Sequence, residues 1–402
     1  MQNDAPFHRE YIEFFASNFE IPQPGKGLEF AQQPLYYIVM GLFYKAFSLF
    51  GYAFKYNLIF ALSCLISCVT LWIGYLIAQR TLETGLPQVT MLSFLSFNPS
   101  LIYDAATTNN DIFVFFFGTL ALLGLIQIWQ SDGHKVYSEF LLALGASLAA
   151  FISKLSGCCY VLFLGLLLLY KYWQSKEPYL KVWKKCFQIF CFSSFFILGL
   201  VLLRGFEPTL GVFSFINSGV YPEKALPPLD WFYFSKFSFL ELLKVAQASN
   251  EYVNNDAVRY TFWTHLYGTS FLGDINYSKL LGPYPEFKYI SAAIFCLGIL
   301  FPMLAALSIW ESGFFHKTLW LIFVINIIFM ICMLRQYPSV CNNSFRYLFS
   351  TITIYALLVG HGISLILRHF PPSRRIFGGW IFSISVLQIS WIFSLFTVDC
   401  EL

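Results

Sequence analysis

The sequence predicts an all-α, polytopic membrane protein: a bundle of about ten transmembrane helices with interfacial helices and one long exported loop. Three observations carry this. Of the 402 residues, 57% are hydrophobic and only 12% charged, about half the charged share of an ordinary soluble domain. Ten apolar runs approach the roughly 20 residues that a helix needs to cross a bilayer. The Lys and Arg residues of the short connections fall mainly on alternate loops, as the positive-inside rule requires. A net charge of +3, dispersed along the chain, gives no basis for a nucleic-acid partner.

Residues 1–54 read as a first exported loop with interfacial helices. They lack the basic start and central apolar run of a signal peptide. Asp4, Pro6 and the phased Phe7, Tyr11, Phe14 and Phe15 predict a capped amphipathic helix of two or three turns, ended by Pro22, Pro24, Gly25 and Gly27. Gln33-Pro34 then opens QQPLYYIVMGLFYKAFSLFG, a short aromatic helix with Lys45 inside it, suited to lie in the interface.

Residues 55–203 form the N-terminal transmembrane core, with spans expected near 55–78, 87–103, 112–130, 136–153, 157–171 and 185–203. Residues 204–287 form the long exported loop. Its aromatics and its breakers Pro208, Pro222, Pro227 and Pro228 mark a folded element and not a polar spacer. Within it, 231–247 has the composition of an interfacial helix, and 261–277 that of a partly membrane-facing loop. Residues 288–402 hold the C-terminal transmembrane helices, expected near 288–309, 318–334, 346–366 and 376–397. Most of the ten cysteines, such as Cys64, Cys68, Cys191 and Cys296, sit in apolar runs and read as small core residues. None shows paired metal-ligand spacing.

Charge sets the sidedness. One set of loops holds Arg80, Lys135, Lys171, Lys176, Lys181, Lys184, Lys185, Lys317, Arg368, Arg374 and Arg375; the opposite short loops hold Lys154, Arg335 and Arg346. The first set belongs in the cytoplasm. The other face then collects residues 1–54, the 204–287 loop and the connector FNPSLIYDAATTNND, Phe97–Asp111.

That face gathers the unusual polar residues: Asp4, His8, Arg9 and Glu10, then Asp104, Asn110 and Asp111, then Lys154 and Arg346. An acid at the mouth of a membrane helix persists where water, a cation or a substrate compensates its lost solvation. Plainer roles fit the same residues. Asn109 to Asp111 suit a helix cap, as does Asp4. His8 suits a solvated interface position, and Lys154 a snorkelling helix end. Arg346, at the entry to a span, calls for an anion, either a protein carboxylate or a substrate phosphate. Carboxylates and cations together at a membrane surface fit one chemistry well. A carboxylate accepts the proton of an attacking hydroxyl, while Lys and Arg stabilise a departing phosphate. Two acids could also hold a divalent cation, although no full oxygen ligand set is visible.

Several stretches resemble the GT-C class of membrane glycosyltransferases, in the branch holding protein O-mannosyltransferases and lipid A aminoarabinose transferases. NDAPFHREYIEFFASNFEIPQP resembles the family's first exported loop, and QQPLYYIVMGLFYKAFSLFG its His-Pro-Pro-Leu-Tyr-Tyr segment, with Gln32 and Gln33 where His or Pro is common. SFNPSLIYDAATTNNDIFVFFFGTLAL resembles the second exported loop, with Asp111 at the acidic position. SKLSG (153–157) resembles the Thr-Lys-Gly turn, and FRYLF the Arg-Tyr-Leu-Leu-Pro entry to a late helix, with Phe349-Ser350 in place of Leu-Pro.

The resemblance implies inverting sugar transfer from a polyprenyl-phosphate-linked donor to a lipid, glycan or protein acceptor. The active face lies outside the cytoplasm, at the inner membrane in a bacterium. It implies Asp4 as general base, Asp111 as a second acid, and Lys154 and Arg346 as phosphate contacts. His8, Arg9, Glu10, Asp104 and Asn110 stand by as supporting residues. In the family a transmembrane helix precedes the first exported loop; this chain begins almost at Asp4, so either the recorded start falls after that helix or the protein has lost it. Two other readings stay open: a lipid or sugar transporter or flippase, and a non-catalytic, lipid-binding membrane subunit of the same fold.

Overall fold

The computed structural model describes residues 5–24, 26–27, 29–48, 51–131, 136–175, 179–207, 212–213, 231–240, 242–243, 261–272, 287–311, 313–336 and 344–399. Asp4 and most of the 204–287 loop lie outside them. Among the described residues the protein is helical apart from two paired two-residue strands, β1 (Phe206–Glu207) against β2 (Val212–Phe213). Nine helices among the described residues are long and apolar enough to cross a membrane, so the chain is an integral, multi-pass membrane protein.

Two short helices come first, α1 (Ala5–Asn18) and α2 (Leu35–Phe47). At 14 residues, α1 is longer than the expected two or three turns. Its buried residues Ala5, His8, Tyr11, Ile12, Phe15 and Ala16 recur at the three-to-four spacing of one helix face. That face lies on α2, where Tyr11 stacks on Tyr37 with ring centroids 3.8 Å apart.

The expected 87–103 span is where nine replaces ten. After α3 (Tyr52–Thr81) the run divides into α4 (Leu86–Phe97) and α5 (Pro99–Ala105), neither long enough to cross alone. The break follows from Asn98-Pro99. Pro99 has no N–H to continue the ladder, and Asn98 takes an extended conformation whose Oδ1 accepts from the N–H of Ser100 (3.1 Å) and Leu101 (3.3 Å). It therefore ends one helix and caps the next. The pair still returns the chain across the bundle. At the far side, Gln130 donates to the Arg80 carbonyl at 3.1 Å, so α3 and α6 (Asp111–Gln130) end together and run the same way.

Next come α7 (Val136–Ser153), a 3-10 turn at Leu155–Gly157, α8 (Cys158–Gln174) and α9 (Tyr179–Gly205). In lipid, helices associate through close packing of small residues and not through hydrophobic transfer. The α6–α7 hairpin follows that rule: a Cβ on Gly124 would stand 2.9 Å from Ala143 Cα. The turn after α7 is tighter still, for a Cβ on Gly157 would lie 2.3 Å from the Ala150 carbonyl. The hairpin sets Lys154, one residue past α7, beside the first residue of α6.

After the five-residue α10 (Trp231–Ser235) comes α11 (Phe262–Leu272). Where it is described, the 261–277 segment is a largely buried helix and not a loop, and residues 273–277 lie outside the described residues. From Phe262 to Leu272 only Trp263 is exposed. Small polar residues let α11 sit inside, where Asn98 Nδ2 donates to the Ser270 carbonyl (2.9 Å), Ser100 Oγ to the Thr269 carbonyl (2.7 Å), and the Phe345 N–H to Thr269 Oγ1 (3.0 Å).

The C-terminal half comprises α12 (Phe287–Gly298), α13 (Leu300–Leu307), α14 (Phe314–Gln336), α15 (Ile352–His369) and α16 (Arg374–Asp399). The bundle has an inside and an outside. In an 18-residue apolar stretch of each span, 72% of Asp111–Gln130 and 78% of Phe345–His369 is buried, against 11% of Tyr179–Arg204. Thus α6 and α15 form the centre, joined by a Thr119–Thr353 hydroxyl bond of 2.7 Å, and α9 faces lipid. At the Arg80 end, Arg368 clasps Glu83 (2.6 Å) and Glu311 (3.0 Å).

Candidate active site

The end opposite Arg80 is organised by the connector between α5 and α6. Asn109 ties it in two directions: its Oδ1 accepts the Asp111 N–H at 3.0 Å, and its Nδ2 donates to Asp104 Oδ1 at 3.1 Å. Asn110 donates to Gln32 Oε1 and to the Ser153 carbonyl, both at 3.4 Å. One bond reaches the first segment and the other reaches α7. The N-cap residue Asn110 makes no side-chain cap bond, and it is Asn109 Oδ1 that meets the first helical N–H, which leaves the Asp111 carboxylate for another role.

That carboxylate is ion-paired with the Lys154 ammonium, and Asp111 is 1% exposed. The Lys154 ammonium also lies 4.8 Å from the centroid of the Tyr347 ring, and the Arg346 guanidinium lies 5.4 Å from the same centroid. An aromatic face attracts cations, so one ring gathers both positive groups. Asp111, Lys154 and Arg346 come together from three separate elements: the start of α6, the turn after α7 and the 3-10 segment Phe345–Thr351. Asp104 and Asn110, both buried, complete the polar layer.

The first segment contributes differently. His8 is buried, not solvated: its Nδ1 is 2.7 Å from Tyr37 Oη. It shares the apolar stripe of α1, which explains its burial. Arg9 lies over Tyr56 (4.8 Å) and Phe60 (5.5 Å) on α3. Glu10 is exposed and does not join the cluster. Asp4 lies outside the described residues. Burial pushes the Tyr11 phenol above its ordinary value, with the Arg204 charge opposing the shift.

Two residues here escaped the sequence reading. Arg204, at the end of α9, donates to Tyr11 Oη (2.8 Å) and to the carbonyls of Phe30 (2.7 Å), Gln32 (3.1 Å) and Pro22 (3.3 Å). It pins the link between α1 and α2 to the bundle. Glu13 accepts from Tyr44 Oη at 2.9 Å and from Tyr56 Oη, joining α1, α2 and α3. Such pairings span 31 to 193 positions and leave no local signal. Among the described residues, no group of three or more His, Cys, Asp or Glu is arranged to hold a metal ion.

No protein-family model matches the chain, and no curated protein matches it. Among solved structures, ArnT from Cupriavidus metallidurans in the apo state matches with 11% identity and a TM-score of 0.39, covering 89% of this chain and 72% of that one. The structure of ArnT from the same organism bound to undecaprenyl phosphate matches with 14% identity, a TM-score of 0.39 and the same coverage. Likeness at that level leaves the functional reading to the residues themselves: a buried carboxylate, two cations on one aromatic ring, and an amide-laced connector at one end of a membrane bundle.

Proposed function

We propose that the protein is a GT-C-type membrane glycosyltransferase, taking a sugar from a polyprenyl-phosphate-linked donor and passing it to an acceptor hydroxyl with inversion. By the positive-inside distribution, the reaction occurs on the face away from the cytoplasm, which is the outer face of the inner membrane in a bacterium. The observation that carries the reading is the Asp111–Lys154 ion pair beside Arg346, with both cations against the Tyr347 ring. A donor phosphate competes with Asp111 for the Lys154 ammonium and also meets the Arg346 guanidinium, which lies against the same ring. The acceptor oxygen attacks the anomeric carbon as its proton passes to a carboxylate, Asp4 by family resemblance, with Asp111 as the second acid. The anomeric carbon–oxygen bond breaks, and the two cations take up the charge left on the phosphate.

Among the described residues, Asp, Glu, Lys and Arg lie near the ends of the membrane-spanning helices, while the centre of the bundle is bridged by Thr119 and Thr353. A transporter path lined by charge at mid-depth is thus less well supported than surface chemistry. The test uses purified protein in lipid vesicles with a polyprenyl-phosphate-linked sugar, and measures polyprenyl phosphate released. Wild-type release, falling at least roughly 100-fold in Asp111→Asn and Lys154→Met with folding retained, supports the proposal. Release that is unchanged in both variants, or sugar counterflow without cleavage, overturns it.

A further inference from the structure

The positive charge of the Arg80 end is concentrated at the α8–α9 connection. Residues 171–185 carry Lys171, Lys176, Lys181, Lys184 and Lys185 against one acid, Glu177. Lys171 is used inside the protein: it donates to the Trp129 carbonyl at 2.8 Å, which fixes the end of α8 beside the end of α6. Lys181, Lys184 and Lys185, in the first two turns of α9, are exposed, and none forms an ion pair among the described residues. Their spacing puts them on one side of the helix. Positive charge at a helix N-terminus opposes the helix dipole, and the first turn of α9 holds no acid to offset it. Orienting the chain in the membrane requires Lys and Arg somewhere in the loop, but not three on one side of one helix.

These lysines stand at the mouth of a lipid-facing groove. Helices α7 and α9 pack together and run the same way from the Arg80 end. On α7, Tyr137, Leu141 and Gly145 recur every four residues and are exposed; on α9, Lys185, Phe192 and Phe196 share a face and are exposed. The two rows meet at the Arg80 end, where the Lys185 ammonium lies 5.9 Å from the centroid of the Tyr137 ring. Further in, a Cβ added to Gly145 would meet nothing within 4 Å, so the α7 row stays open. Trp173, at the end of α8, is 88% exposed, as an aromatic anchor at headgroup level would be.

We propose that this groove binds an anionic phospholipid of the leaflet at the Arg80 end, which the positive-inside distribution makes the cytoplasmic one. The phosphate lies among Lys181, Lys184 and Lys185, whose ammonium groups offer charge-assisted donors, and the acyl chains lie along Leu141 and Phe192. A zwitterionic headgroup brings its own cation against three lysines and gains less. The groove is at the opposite end of the bundle from Asp111, and its occupant does not depend on the glycosyl-transfer reading.

The test is photolabelling of the full chain in phosphatidylcholine nanodiscs. They carry a trace of either phosphatidylglycerol or phosphatidylcholine with the same diazirine-bearing acyl chain. Phosphatidylglycerol should label the 137–145 and 185–196 segments at least roughly tenfold more than phosphatidylcholine, since each lysine near an anionic headgroup gives about a fivefold preference. That preference should fall roughly tenfold in the double variant Lys184→Gln, Lys185→Gln. Both positions are exposed, so the fold is little affected. The double variant Arg374→Gln, Arg375→Gln removes the same charge from α16, which packs against α4 and α12, and should leave the preference within about twofold, because distant exposed charges are screened. Equal labelling by the two lipids overturns the proposal. So does an equal loss of preference in the two double variants, which would show only the general attraction between a basic protein face and anionic lipid.

Discussion

The Lys154 ammonium is paired with the Asp111 carboxylate across 43 positions of sequence, and the two are buried to different depths: Lys154 is 12% exposed and Asp111 1%. Removing one partner of a buried pair costs about 3–5 kcal/mol, because the other is left uncompensated. The inequality in burial gives the loss a direction. Lys154→Met strands a carboxylate with almost no access to water and should destabilise the fold by the full amount. Asp111→Asn leaves a lysine whose flexible stem can lift its charge to the surface and should cost less. The double variant should recover part of the loss. Unfolding midpoints in one detergent check the order, and equal losses would show that the pair is not buried as described.

Arg204 holds the α1–α2 link through three backbone carbonyls and Tyr11 Oη. Lys26 is exposed in that link and is the one tryptic position between Arg9 and Lys45. Arg204→Leu should therefore speed tryptic cleavage after Lys26 by at least about tenfold, since hydrogen bonds from a charged group contribute roughly 1.5–3 kcal/mol each. Time-resolved proteolysis with mass detection measures it, and an unchanged rate would mean that other contacts hold the link.

Gly362 sits where α15 crosses α13, and a Cβ there would lie 2.0 Å from the Leu304 carbonyl oxygen. Backbone cannot yield as a side chain does, so Gly362→Ala should cost at least the ~1–3 kcal/mol of core overpacking and lower the yield of folded protein severalfold. Gly145→Ala, with nothing within 4 Å of its added Cβ, should be neutral or stabilising by up to about 1 kcal/mol, the helix propensity difference. Fluorescence-detected size exclusion of the two variants distinguishes a packing requirement from general intolerance.

The transmembrane core was legible because a helix that crosses lipid must be apolar along its whole length. Most span positions follow from that one condition. The break at Asn98-Pro99 was written in the chain as a turn-forming dipeptide, but the surrounding apolar run obscured it. His8 was readable too, since it falls on the same three-to-four stripe as Ala5, Tyr11 and Ile12. Its polar side chain suggested solvent, and the Tyr37 hydroxyl supplied an internal partner instead. The ion pair of Asp111 with Lys154 was visible only as two unusual residues on one face. Arg204, Glu13 and the Thr119–Thr353 bridge were invisible. Each is defined by a partner on another helix, and an arginine at the end of a span looks the same whether it meets water or four protein oxygens.

The central claim is that the Lys154 and Arg346 side of the site receives the phosphate of a polyprenyl lipid. Its most direct measurement compares binding of polyprenyl phosphate and the matching polyprenol to the full chain in nanodiscs, for wild type and for Lys154→Met and Arg346→Met. The account predicts that the phosphate binds at least about tenfold more tightly than the alcohol, and that each substitution removes most of that difference, as loss of a charge-assisted contact should. Equal affinity for the two lipids, or a preference for phosphate that survives both substitutions, would contradict it.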